Sequence, residues 1–149
     1  MGLVKIPSIA PSLKAFTLIE LLAVLAILAI IAGFAAPAIF KQINKGKVDA
    51  AKANIGTIEN SMNQFYLDCG FFPKSPEPGL SALVTPPSVG RQCKNYSEGG
   101  YFKKGKLPLD PWNQEYFYVF PGEHNAQGFD LFSAGQDGEP NTDDDVTNW

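Results

Sequence analysis

The run Leu21–Phe40, LLAVLAILAIIAGFAAPAIF, holds no charged side chain. About 20 apolar residues are what a helix needs to cross a hydrocarbon core, so a membrane-spanning helix is expected here. A cleaved secretory signal would have an apolar region of roughly 7 to 15 residues ending at small residues; this run is too long for that. Glu20 stands at its edge, and Gly33 and Pro37 interrupt it. A carboxylate facing lipid costs about 2.5–3.5 kcal/mol on insertion scales, so Glu20 needs a partner unless it sits in the headgroup region. Pro37 has no N–H to give the Gly33 carbonyl one turn earlier, which marks a point where the helix can bend. Glycine and proline are in any case commoner in membrane helices than in soluble ones. Lys5 and Lys14 precede the run and Lys41, Lys45 and Lys47 follow it, so charge leaves the orientation undecided.

Beyond Lys41 the pattern becomes striped. Val48, Ala51, Ile55, Ile58, Met62 and Phe65 recur alternately three and four residues apart, which is one face of a helix. Lys47, Asp49, Lys52, Asn54, Glu59, Asn60 and Asn63 fill other positions, so this part is expected to be half-buried. One continuous helix from Phe16 to about Tyr66 would be roughly 75 Å long at 1.5 Å per residue. A rod with a lipid-like first half and a second half that carries a core suits a filament subunit better than a simple anchor.

After Tyr66, glycine, proline and aromatics dominate, the composition of loops and short strands. Gly70 with Pro73 ends the rod, and Gly79–Val84 has the length of a small helix stopped by Pro86 and Pro87. Gly99–Leu107, Gln114–Pro121 and Phe129–Ser133 read as strands. An α+β fold follows, with a small antiparallel sheet packed on the amphipathic helix. The chain divides at 16–40 (apolar helix), 41–68 (amphipathic helix) and 69–149 (head). With 149 residues and 45% hydrophobic content, one modest head plus a membrane segment is the ceiling. A net charge of −3 provides no basic field for nucleic acid.

Cys69 and Cys93 are the two cysteines. A single disulfide is the simplest reading and two unpaired buried thiols the alternative. The bridge would close a loop of roughly two dozen residues, worth about 3 kcal/mol on the chain-entropy model, in an oxidising compartment. Ser133–Asp145 gathers four aspartates and one glutamate among Gly, Pro, Asn and Thr, hard oxygen donors on a turn as Ca²⁺ prefers. The spacing is not that of an EF-hand. A solvated acidic tail is the alternative, against which stands Trp149, a large aromatic better packed than free. His124, the one histidine, has no nucleophile motif nearby, so the chain is not expected to be an enzyme.

The stretch Ala15–Glu20, AFTLIE, resembles the processing site of type IV pilins and pseudopilins. The resemblance makes residues 1–15 a leader removed by prepilin peptidase, and Phe16 the N-methylated mature terminus. Ala15 stands where the family strongly prefers Gly. Glu20 becomes the acid that pairs with the Phe16 amine of a neighbouring copy, an ion pair that offsets the cost of burying both groups and sets register. Phe16, Glu20 and the break at Pro37 are then the assembly residues.

Five further blocks, YLDCGFFP, GLSALV, LPLDPWNQEYFY, PGEHN and FSAGQDGEPNTDDD, are similar in order and spacing to the major pseudopilin of type II secretion systems. Cys69 replaces that family's usual Asn, and Cys93 is also unusual. The resemblance implies a type IV pilin-like fold and Ca²⁺ held by the side chains of Asp137 and Asp144, with carbonyls near Ala134 and Val146. Asp143 and Asp145 would be outer-shell or solvent-facing, though either is open as a ligand. It further implies a single-pass inner-membrane protein with a periplasmic head that polymerises into a helical homopolymer. Its partners would be other pseudopilins at the tip, the peptidase and an inner-membrane assembly platform. Growth of the filament would push folded proteins through an outer-membrane channel. A surface pilin is one alternative, and a monomeric membrane-anchored calcium- or ligand-binding domain is another.

Overall fold

A computed structural model describes residues 16–102 and 105–149, without the side chains of residues 35 and 36. The leader, and with it Ala15, lies outside the described residues. One long helix, α1 (Leu18–Cys69), precedes all other elements. Its start is a capping box: Glu20 N–H donates to Thr17 Oγ1 at 3.3 Å, and Thr17 N–H donates to Glu20 Oε2 at 2.9 Å. Its end is an αL cap. Gly70 sits at φ +74° and gives its N–H to the Tyr66 carbonyl at 2.7 Å, a conformation that glycine adopts without the steric cost of a Cβ.

The chain forms two compact units that divide between Lys41 and Gln42. In the first, large apolar side chains from Phe16 to Phe40 are exposed; Ile27 is 56% and Phe34 83% accessible. The expectation of one uninterrupted membrane span is modified here. No single helix is long and apolar enough to cross a membrane among the described residues. The segments Leu18–Phe34 and Pro37–Cys69 meet that requirement only as a pair, across a bend between them. The bend falls where Pro37 withholds the N–H that Gly33 would accept.

The second unit is organised by the expected stripe. Ala51, Ile55, Ile58, Met62 and Phe65 are at most 3% accessible, and Val48 is half-buried beside them. Each larger member buried this way contributes about 1.5–3 kcal/mol. Against the stripe lie Leu83, from a 3₁₀ turn (Gly79–Leu83), and Leu131, from a three-stranded antiparallel sheet. The strands are β1 (Phe117–Val119), β2 (Asp130–Ser133) and β3 (Val146–Thr147), in spatial order β1-β2-β3. Phe117 pairs with Phe132, and Ser133 with Val146. Every residue of the central strand is buried.

Two strand expectations are corrected. Gly99–Leu107 forms no strand among its described residues. Gly99 and Gly100 lie at φ +86° and +80°, outside the extended region, and a Cβ on Gly100 would fall 2.8 Å from the Val84 carbonyl oxygen. The third strand is instead Val146–Thr147, directly after the segment Ser133–Asp145 read as the acidic loop. Two residues carry too short a pattern for period-2 alternation to register. Gln114–Pro121 contracts to β1, Gln114 itself being taken up by the turn in which its N–H donates to Asp110 Oδ1 at 2.8 Å. Cys69 and Cys93 are joined, with Cα atoms 4.8 Å apart.

Candidate functional site

Two places carry the residues singled out from sequence. The first is the start of α1. Thr17 donates to one oxygen of Glu20 twice, from its N–H at 2.9 Å and its hydroxyl at 3.0 Å; no hydrogen bond reaches Oε1 among the described residues. Glu20 is exposed, and so is Phe16 at 81%. Its carboxylate is thus held in one orientation by its own helix terminus, with an oxygen left open. The sequence contained this signal as Thr-x-x-Glu, a capping-box signature, which the reading of Glu20 as a lone acid overlooked.

The second is the acidic loop between β2 and β3. Asp144 Oδ2 accepts the N–H groups of Gln136 at 2.6 Å and Asp137 at 3.2 Å, and its Oδ1 accepts the Thr142 hydroxyl at 2.8 Å. The Thr142 bond first, then these backbone donors, hold its carboxyl below the ordinary 3.8, against the opposing pull of desolvation. Asp137 Oδ1 accepts from Glu139 N–H at 2.9 Å and lies 3.4 Å from the same Thr142 hydroxyl. Asp137 and Asp144 therefore meet at one hydroxyl. The Ala134 carbonyl accepts the Gly138 N–H at 3.2 Å, which closes the turn beside them, and Val146 starts β3. The backbone folds tightly over Asp144, since a Cβ on Gly135 would fall 2.5 Å from its Oδ2.

Asp143 points to solvent, whereas Asp145 Oδ2 accepts the Asn141 N–H at 2.8 Å and its Oδ1 is buried without a partner. Among the described residues no three His, Cys, Asp or Glu side chains converge as a metal cluster. A Ca²⁺ site here would rest on two carboxylates plus carbonyls. That all-oxygen donor set, with two carboxylates brought to one point, fits a hard cation.

Three buried or half-buried groups that sequence reasoning missed hold β2 and the segments beside it. Asp130, 2% accessible, accepts the N–H groups of Glu123, His124 and Asn125 at 2.7, 2.9 and 2.8 Å. Burial pulls its carboxyl upward, but these donors and the His124 ring outweigh it and leave it below 3.8. Asp110 Oδ1 accepts from Trp112 N–H at 3.0 Å and Gln114 N–H at 2.8 Å, and its other oxygen accepts the Ser133 hydroxyl. Asp-Pro is a local turn signal that could have identified Asp110. Asn148 gives its amide to Glu59 and Phe129 and accepts from Leu131, contacts far apart in sequence with no local signature. His124 stacks on Trp149 at 4.1 Å with planes 6° apart. Trp149 is thereby packed, although 46% accessible.

The family profile for type II secretion system protein G matches residues 38–149, and that for the prokaryotic N-terminal methylation motif matches residues 13–36. The type II secretion system core protein G of Escherichia coli strain K12 is 41% identical over 138 residues, covering 91% of this chain and 90% of the relative. That of Pseudomonas aeruginosa strain PAO1 is 39% identical over 137 residues, covering 90% and 93%. A crystal structure of the major pseudopilin from the type 2 secretion system of enterohaemorrhagic E. coli superposes with a TM-score of 0.66 at 35% identity. It covers 73% of this chain and 87% of that one.

Proposed function

The chain belongs to the type II secretion system protein G family, as a major pseudopilin by sequence and fold, and from that premise we propose that it polymerises through α1 into a periplasmic pseudopilus that drives protein export. Family membership implies a membrane-anchored, periplasm-facing structural subunit. The finer reading is a single-pass inner-membrane precursor, cut before Phe16 by prepilin peptidase and N-methylated there. It is then assembled at an inner-membrane platform, with other pseudopilins at the tip. Its work is mechanical, and no residue is assigned a catalytic step.

The observation that carries this reading is the pairing of an apolar helix face exposed from Leu18 to Phe40 with a carboxylate oriented at its start. In a monomer the first can be covered by lipid. The second costs free energy there unless a cation meets it, and the amine that the cut would create on Phe16 is such a cation, brought to Glu20 by a neighbouring copy. Packing of neighbouring helices would then replace lipid contacts, with the ion pair fixing register. Pro37 would supply the point where α1 adjusts to its neighbours.

Ca²⁺ belongs to this proposal as a brace for the acidic loop, held by the Asp137 and Asp144 side chains and the carbonyls of Ala134 and Val146. Its charge would neutralise the clustered carboxylates and tie β2 to β3.

Replacing Glu20 by Ala tests the assembly reading. Filament yield from cells, followed by shear fractionation and electron microscopy, is expected to fall at least tenfold, while the membrane-bound monomer persists. Filaments of Glu20→Ala at unaltered yield would overturn it.

A further inference from the structure

Between Thr85 and Tyr96 the second unit carries a segment with unusually few attachments. Residues 86–95 form no helix or strand, and no hydrogen bond joins them to the rest of the described chain, the flanking bonds ending at Thr85 and Ser97. None of them belongs to the buried core built by Ile58, Met62, Leu83 and Leu131. Three attachments remain. Pro87 is buried, the Arg91 guanidinium lies 4.8 Å over the Phe71 ring, and Cys93 is bonded to Cys69 in the last turn of α1. A cation–π contact at an exposed site is weak, so beyond the buried Pro87 the covalent bond is the tether that decides where the segment lies.

That segment also contributes to a cleft. A cavity of about 510 Å³ is lined by the aromatic rings of Tyr66, Phe71, Phe72 and Phe120 together with Val89 and Arg91 of the segment. We propose that Cys69–Cys93 is a redox latch: its closure by exchange with an external disulfide donor sets residues 86–95 against the end of α1 and completes this aromatic cleft, while the rest of the second unit folds without it. In the exchange a cysteine thiolate attacks the donor's disulfide, and the second thiolate then displaces the donor sulfur. The donor's S–S bond breaks and the Cys69–Cys93 bond forms. Two electrons and two protons leave on the donor, which departs as a dithiol. Because thiols stay reduced in the cytoplasm and pair outside it, the latch closes only once this unit has crossed the membrane.

Limited trypsin digestion of the full chain in detergent, oxidised or reduced, tests this, with the Cys69→Ser, Cys93→Ser double variant as a reductant-free control. Arg91 and Lys94 supply cleavage sites inside the segment, and Lys52 one on α1. Cleavage after Arg91 and Lys94 is expected to accelerate at least tenfold in the reduced chain and the double variant, with cleavage after Lys52 unchanged within twofold. Equal rates at Arg91 in both states would overturn the latch. So would joint opening of Lys52 and Arg91, because the bond would then brace the whole unit rather than one segment.

Discussion

The Asn148 side-chain amide donates to the Glu59 carboxylate at 2.9 Å across 89 residues of sequence. The same side chain donates to the Phe129 carbonyl at 3.3 Å and accepts the Leu131 N–H at 3.0 Å. One residue thus joins the helix that carries the core stripe to the β3-side edge of the central strand at its start.

Asn148→Ala should therefore cost about 1–3 kcal/mol, since it leaves the Leu131 N–H and the Glu59 carboxylate without this partner. Glu59→Gln keeps an acceptor oxygen and should cost less than about 1 kcal/mol. Urea denaturation midpoints of the two variants check this. Equal midpoints for Asn148→Ala and the parent would contradict the tie.

Asp130 sets an acid limit. Its folded carboxyl lies below the ordinary 3.8, so its ionised form contributes stability that is fully present above that value and is lost as pH falls through the folded one. Asp130→Asn keeps one acceptor oxygen but would place its NH₂ against the N–H of Asn125 or those of Glu123 and His124, and should cost about 2–3 kcal/mol at neutral pH. Acid titration followed by circular dichroism should show the gap between variant and parent shrinking below pH 3.8. A constant gap down to strongly acid pH would show that Asp130 acts by shape rather than charge.

Metal removal addresses the acidic loop. At free Ca²⁺ about 100 times Kd, binding to the folded state alone adds about 2.7 kcal/mol. Melting of the parent should shift upward with Ca²⁺ and return in chelator, while Asp137→Ala and Asp144→Ala melt at one temperature in both. A parent indifferent to chelator would remove Ca²⁺ from the account.

What could be read directly from residue order was whatever repeats over many residues. The uncharged run Leu21–Phe40 and the stripe Val48–Phe65 each exceed two helical turns, so their pattern outweighs local noise, and the stripe's members from Ala51 on are found buried, with Val48 half-buried beside them. AFTLIE and the five blocks of the head carried the family for the same reason, since several ordered matches constrain more than one. The acidic cluster was legible by composition, while the choice of Asp137 and Asp144 within it came from the resemblance; the two meet at Thr142.

Other features rested on partners remote in sequence. Val146–Thr147 is a strand because β2 offers it an unpaired edge, and two residues have no pattern of their own. Asp130 and Asn148 become structural only when the 122–125 turn, α1 and β2 converge on them, so each looks like an ordinary surface polar residue in the sequence. Gly99–Leu107 failed as a strand because its glycines adopt positive φ, with Gly100 tight against the end of the 3₁₀ turn. Local periodicity decided the helix and its buried face by itself. The short strands, and the polar groups that hold them, were decided by tertiary structure, because a buried hydrogen-bonding group is defined by the distant partner that satisfies it.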